Sequence, residues 1–207
     1  MITKASDNAA MPAFAAAVWR APLLLMALLL LTELGGAPVR ALLGFDRTAI
    51  EAGQLWRLLT ANFVHLGWYH WFLNELGLVV LVLLCPERIR VLTLLARVAF
   101  MGILMSLCLY GFTPELSRYF GMSGVIHGLF VLGLLPQVRQ RDLVSMGCLA
   151  FLIGKLVFEQ IAGAPLSDES AIGGHVVTES HLFGALAAAL YAALDAGRVR
   201  ILGRPAG

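Results

Sequence analysis

The sequence predicts an all-α, polytopic membrane protein with six transmembrane helices. Three observations carry this. Of its 207 residues 59% are hydrophobic and only 14% charged, far less charge than a soluble domain carries. The apolar residues fall into six stretches, most of them near the roughly 20 residues that a bilayer span needs. The Lys and Arg residues collect in alternate connections between those stretches.

In chain order, residues 1–12 read as a short disordered head. The first span covers 13–34, with Arg20 and Pro22 near its inner end. Residues 23–31 also fit the core of a signal peptide ending near Ala37, but the later spans need a cytoplasmic N-terminus to keep their charges inside. The connection 35–56 is amphipathic, carries Arg40, Asp46, Arg47 and Glu51, and has room for short interfacial helices. The second span is expected over 58–84, ended by the turn at Pro86. The others are expected over 91–112, 121–135, 143–161 and 180–194. The domain division is therefore a head 1–12, a membrane domain 13–197 and a tail 198–207.

Six spans put both termini on one side, and the positive-inside rule makes that side cytoplasmic. Lys4, Arg20, Arg88, Arg90, Arg139, Arg141, Arg198, Arg200 and Arg204 lie there, whereas the opposite set is acidic, with Glu33, Asp46, Glu51, Glu115, Asp168, Glu169 and Glu179. The expected location is a bacterial-type inner membrane. A net charge of +2 is too small to suggest nucleic acid. Cys85, Cys108 and Cys148 are odd in number and lack C-x-x-C spacing, which points to neither a disulfide framework nor a metal site. The histidines look too dispersed for a metal, and no cofactor is expected.

The stretch Gly121-Met122-Ser123-Gly124 opens the fourth span. Glycines beside a serine leave its hydroxyl uncovered and let neighbouring helices approach. The helix N-terminus adds unpaired N–H groups where an oxyanion can form. Small residues around a serine also pack membrane helices with no chemistry at all, so depth supplies the test. Counted at about 1.5 Å per residue from the cytoplasmic end of each helix, Ser123 and His181 both lie roughly 21 Å up, Asn74 roughly 18 Å and His70 roughly 24 Å. Three helices thus bring four polar side chains to one level. The fourth helix is short and must begin inside the bilayer, which is tolerated only beside protein or a water-filled cavity. Polar groups at that depth point to function.

Ser123 is the candidate nucleophile and His181 the candidate base. No Asp or Glu obviously completes a triad, so a Ser-His dyad is the expectation. His70 and Asn74 share one helix face and, with the Ser123 N–H, are candidates to hold the oxyanion. His127, one turn after Ser123, fits a supporting partner, a base or plain packing. Lys155 and Glu159 fit an i, i+4 ion pair that offsets its own burial, although a Ser-Lys dyad is conceivable. His65, His175 and Glu179 are placed near the outer surface with no chemistry.

These residues resemble a known family. Leu55-Trp56-Arg57, Phe63-Val64-His65 and His70-x-x-x-Asn74, with Gly121-x-Ser123-Gly124 and His181-x-x-Gly184, resemble the motifs of rhomboid intramembrane serine proteases in order and spacing. The resemblance implies a rhomboid-like fold, Ser123 as nucleophile, His181 as base and His70 with Asn74 at the oxyanion. The compact size, Ser123-Gly124-Val125-Ile126-His127-Gly128 and Glu179-Ser180-His181-Leu182 resemble a rhombosortase in particular. That implies membrane-anchored substrates with a C-terminal Gly-Gly motif, a membrane helix and a basic cluster. It also implies cleavage with transfer to an acceptor as an option. Many rhomboids carry an aromatic residue that stacks on the base where His127 stands here, which puts that stacking in question. The competing expectations are a non-catalytic rhomboid-like binder of membrane helices, and a small transporter or proton relay built on Lys155, Glu159 and the histidines.

Overall fold

The computed structural model describes residues 7–165 and 167–202, with side chains over 16–165 and 167–197. Six helices among these residues run 17 residues or more: α1 (Asp7–Leu34), α5 (Trp68–Leu84), α6 (Val91–Phe112), α7 (Ser123–Arg139), α8 (Leu143–Ala162) and α10 (Thr178–Leu202). Between α1 and α5 lie the short helices α2 (Gly36–Leu43) and α3 (Arg47–Glu51), inside the connection expected to have room for them, and α4 (Arg57–Thr60), which falls just past it. By length and composition α1 over Ala16–Leu34, α6 and α8 can each cross a membrane, and Arg57–Phe63 with α5 forms a fourth, bent candidate. A lipid-facing exterior fits these helices: Ile161 of α8, Leu83 of α5 and Leu92 of α6 are largely exposed, whereas Ala21, Leu25 and Leu29 of α1 are buried in the core. An apolar exterior on this scale marks a surface that meets something other than water.

Several expectations need correction. The second span is not one helix over 58–84: the chain breaks between Phe63 and Trp68 and bends by 88°. Val64 and Gly67 are extended there, so Arg57–Phe63 lies across the axis of α5. α1 already begins at Asp7, so residues 7–12 of the expected disordered head are helical; residues 1–6 lie outside the described residues. The expected boundary at 197 falls inside α10, and residues 203–207 are again outside the described residues. His65 is fully buried within the protein.

α7 is the centre of the bundle and packs against α5, α6, α8 and α10. Its tightest neighbour is α10, because both present small residues at the seam. A Cβ on Gly128 would meet the Gly184 carbonyl oxygen at 2.6 Å and the Ala188 methyl at 3.3 Å. Helix association in lipid depends on such close approach, since apolar side chains gain little by leaving one apolar medium for another.

Two short strands, β1 (Phe45–Asp46) and β2 (Arg118–Tyr119), pair antiparallel with Phe45 opposite Tyr119. Arg47 holds the return chain to the end of α6, donating to the carbonyls of Leu116 (2.9 Å), Tyr110 (3.0 Å) and Thr113 (2.8 Å). The segment entering α7 is thus fixed from both sides.

Candidate active site

Ser123 is the first residue of α7, where the leading N–H groups of a helix have no intrahelical partner. The chain reaches it through Gly121, whose φ of +122° is available to glycine and rare for other residues. The Gly121 N–H donates to the Ala61 carbonyl (3.1 Å), and the Tyr119 hydroxyl donates to the Gly121 carbonyl (2.7 Å). The bent segment before α5 and strand β2 therefore set the position of the serine.

His181, in the first turns of α10, is buried and places Nε2 3.0 Å from Ser123 Oγ. Its other nitrogen, Nδ1, lies 2.9 Å from Glu159 Oε2. With Nδ1 protonated and donating to the carboxylate, Nε2 is left to accept from the serine hydroxyl. The expectation that no acid reaches the histidine is therefore wrong: Glu159, 1% exposed on α8, stands in that place. The signal was present, since Glu159 lies about 24 Å along α8 from its Leu143 end, the same level as the other polar groups.

Lys155 makes the expected ion pair with Glu159, at 2.7 Å, and more besides. Its Nζ is 2.9 Å from His127 Nε2 and 3.4 Å from His181 Nδ1. It meets His181 at Nδ1, whereas the serine contact is made by Nε2 on the other side of the ring. His127 stacks on His181 with ring centres 4.2 Å apart and planes 16° from parallel. The stacking that the resemblance put in question is present. His127 Nε2 faces the Lys155 ammonium, so Nδ1 carries its hydrogen and donates to the Ser123 carbonyl (2.7 Å). The view of dispersed histidines is also corrected: His127, Glu159 and His181 bring potential ligand atoms within 4.8 Å of one another. The place that a cation would take among them is filled by Lys155 Nζ.

His70 and Asn74 of α5 face this group across a cavity of about 360 Å³ that Ser123, His127, Lys155, Glu159 and His181 also line. The Leu66 N–H donates to His70 Nδ1 (3.4 Å), which leaves the hydrogen of the neutral ring on Nε2. His70 is seated by Gly121, where an added Cβ would lie 2.8 Å from Nε2. Behind it His65 meets the ring edge-on at 5.3 Å. Asn74 donates one amide hydrogen to the His70 carbonyl (2.8 Å), leaving a second hydrogen free.

The connection 167–176 covers the cavity through Ser167, Ile172 and Val176. Its short helix α9 (Glu169–Ile172) is capped by Asp168, whose carboxyl is held below the usual carboxylate range by hydrogen bonds from Ser170. Glu169 accepts from the Val176 N–H and pairs with His175, both within 2.8 Å. His175 is thus tied into the cover, and it lines a second cavity of about 190 Å³ that Ser123 and His70 also reach. The cysteines are free thiols.

A buried imidazole on a helix-end serine, facing polar donors across a cavity, is an arrangement for acyl transfer. No curated protein matches the chain. The Rhomboid domain model matches residues 52–198, from just before the bent segment into α10, and so takes in every residue of this cavity. That match covers well over half of a multi-pass, helical membrane protein, and the chain belongs to the rhomboid family, whose domain implies an intramembrane serine protease acting on membrane proteins.

Proposed function

We propose that this protein is an intramembrane serine endopeptidase of the rhombosortase kind. It cuts the C-terminal anchor of exported proteins that end in a Gly-Gly motif, a membrane helix and a basic cluster. The observation that carries the reading is the 3.0 Å contact between Ser123 Oγ and His181 Nε2 inside a polar-lined cavity. In this reading α1, α5, α6, α7, α8 and α10 make six passes, both termini are cytoplasmic, and the cavity opens to the outer face. The head and tail of the domain division then flank a single membrane domain.

The chemistry proceeds in two halves. Ser123 Oγ attacks the scissile carbonyl as its proton passes to His181 Nε2. The oxyanion is held by the Ser123 N–H, His70 Nε2–H and the free Asn74 hydrogen. His181 then gives the proton to the leaving amine as the C–N bond breaks, which leaves an ester on Ser123. Water or an acceptor amine resolves that ester, and the mass of the product C-terminus tells which.

An apolar groove of about 440 Å³ between α5 and α8 reaches His127 and Lys155 at the edge of the site. It suits a substrate helix arriving from the lipid. Glycines at the cut lower helix propensity by about 1 kcal/mol each, so a Gly-Gly segment unwinds readily and enters the cavity extended.

The test is cleavage of a Gly-Gly-tailed partner. Ser123→Ala and His181→Ala each abolish it while the protein stays folded, and full activity in either variant overturns the mechanism. Tight binding of the tail with no product from the intact protein would favour a non-catalytic binder instead.

A further inference from the structure

We propose that Glu159 is a positioning residue for His181, completing a Ser123–His181–Glu159 relay in which Lys155 serves as a built-in cation that aims the carboxylate. The inference rests on the reading of Ser123 as nucleophile and His181 as base, and extends it to the third and fourth groups.

The geometry divides the carboxylate cleanly. Oε1 takes Lys155 Nζ at 2.7 Å, and Oε2 takes His181 Nδ1 at 2.9 Å. Each oxygen has its own partner, so rotation of the carboxylate would break both contacts at once. Of the two neutral tautomers of His181, one leaves Nε2 an acceptor for the serine hydroxyl and the other makes it a donor. Hydrogen bonding of Nδ1–H to Glu159 selects the tautomer whose Nε2 accepts the serine proton.

Charge balance supports the same assignment. Glu159 and the Lys155 side chain are 1% and 17% exposed, and charges buried this far need partners. Before attack the cluster holds Lys155 and Glu159, one positive and one negative charge. In the tetrahedral intermediate it holds in addition the His181 imidazolium and the oxyanion, again one of each. The pocket stays balanced at both stages. Glu159 keeps no proton at either; the serine proton stops at Nε2 and leaves with the amine.

His127 ties the arrangement to the nucleophile. It accepts from Lys155 at Nε2, donates from Nδ1 to the Ser123 carbonyl, and lies flat on His181. A lysine serving only to neutralise Glu159 would need none of these contacts.

The experiment uses the full-length protein in detergent micelles and reads the rate at which a fluorophosphonate probe labels Ser123. Ser123→Ala removes the label. Glu159→Gln keeps the shape but loses the charge, and labelling falls by on the order of 1,000- to 10,000-fold, as when a triad acid becomes its amide. Because that change leaves Lys155 short of a partner, Lys155→Met/Glu159→Gln is made as well; it removes both charges and labels equally slowly. Glu159→Asp restores part of the rate. A merely structural ion pair predicts labelling near the wild-type rate in the double variant, and that result overturns the proposal. Imidazole nitrogen chemical shifts in the unmodified protein read the tautomer independently of activity. Nδ1–H on His181 is expected, and an Nε2–H ring overturns the relay. Labelling that survives Ser123→Ala would instead sink the nucleophile reading, and the tautomer would still decide the role of Glu159.

Discussion

Gly184 of α10 lies directly against the backbone of Gly124 in α7, so that a Cβ on Gly184 would run into the Gly124 carbonyl oxygen. A backbone atom cannot turn aside as a side chain can. The contact sets the distance between the helices that carry Ser123 and His181. Gly184→Ala therefore forces α7 and α10 apart, at a cost no smaller than the roughly 1–3 kcal/mol of ordinary overpacking. The expected outcome is a lower melting temperature in detergent together with loss of cleavage. Gly154→Ala on α8 is the control, because an added Cβ there meets nothing within 4 Å.

Gly121 and His70 make a second prediction. Gly121→Ala places a Cβ 2.7 Å from His70 Cε1 and puts an alanine at a φ of +122°. The first effect displaces His70 on the oxyanion side of the cavity, and the second strains the chain that delivers Ser123. Proteolysis should fall by on the order of 100-fold in kcat, the scale of one misplaced oxyanion donor. Mass spectrometry of the slow acylation step checks it, and unchanged kcat in Gly121→Ala counts against His70 as a donor.

Asn74 has one amide hydrogen committed to the His70 carbonyl and one to spare, while its oxygen is buried without a protein partner. An amide kept in that state at a cavity wall suits a donor awaiting a charge. Asn74→Ala should cost about 100- to 1,000-fold in kcat with KM little changed, since the interaction exists only once the oxyanion forms. A proportionate rise in KM instead would show that Asn74 holds substrate in the ground state.

The parts of this site visible in the sequence were those fixed by distance along a helix. Ser123, His181, His70 and Asn74 line one cavity, and counting residues along their helices puts them at one level. Rotation about a helix axis is what counting does not give. Glu159 lies at the same level, but which neighbour α8 turns it toward depends on side-chain packing across three helices. Its pairing with Lys155 at i, i+4 was also a complete explanation by itself, and so hid the third partner. The 88° break before α5 was illegible for another reason: Leu58 to Leu84 is apolar enough to read as continuous, and only the extended Val64 and Gly67 interrupt it. Strands of two residues, such as β1 and β2, carry no periodicity to read.

His127 separates two roles that coincide in one ring. Its face stacks on His181, and its two nitrogens join Lys155 to the Ser123 carbonyl. His127→Phe keeps the face and removes the nitrogens, whereas His127→Ala removes both. An aromatic contact of this kind contributes about 0.5–1.5 kcal/mol beyond its buried area, and each hydrogen bond about as much. His127→Phe should therefore slow cleavage by roughly 10-fold, and His127→Ala by a further factor of several. The losses should appear in kcat, because the ring supports the base and stands behind it. The order of the two variants is the informative quantity. If His127→Ala outperforms His127→Phe, the stack does nothing to hold His181, and the nitrogen contacts to Lys155 and Ser123 carry the whole effect.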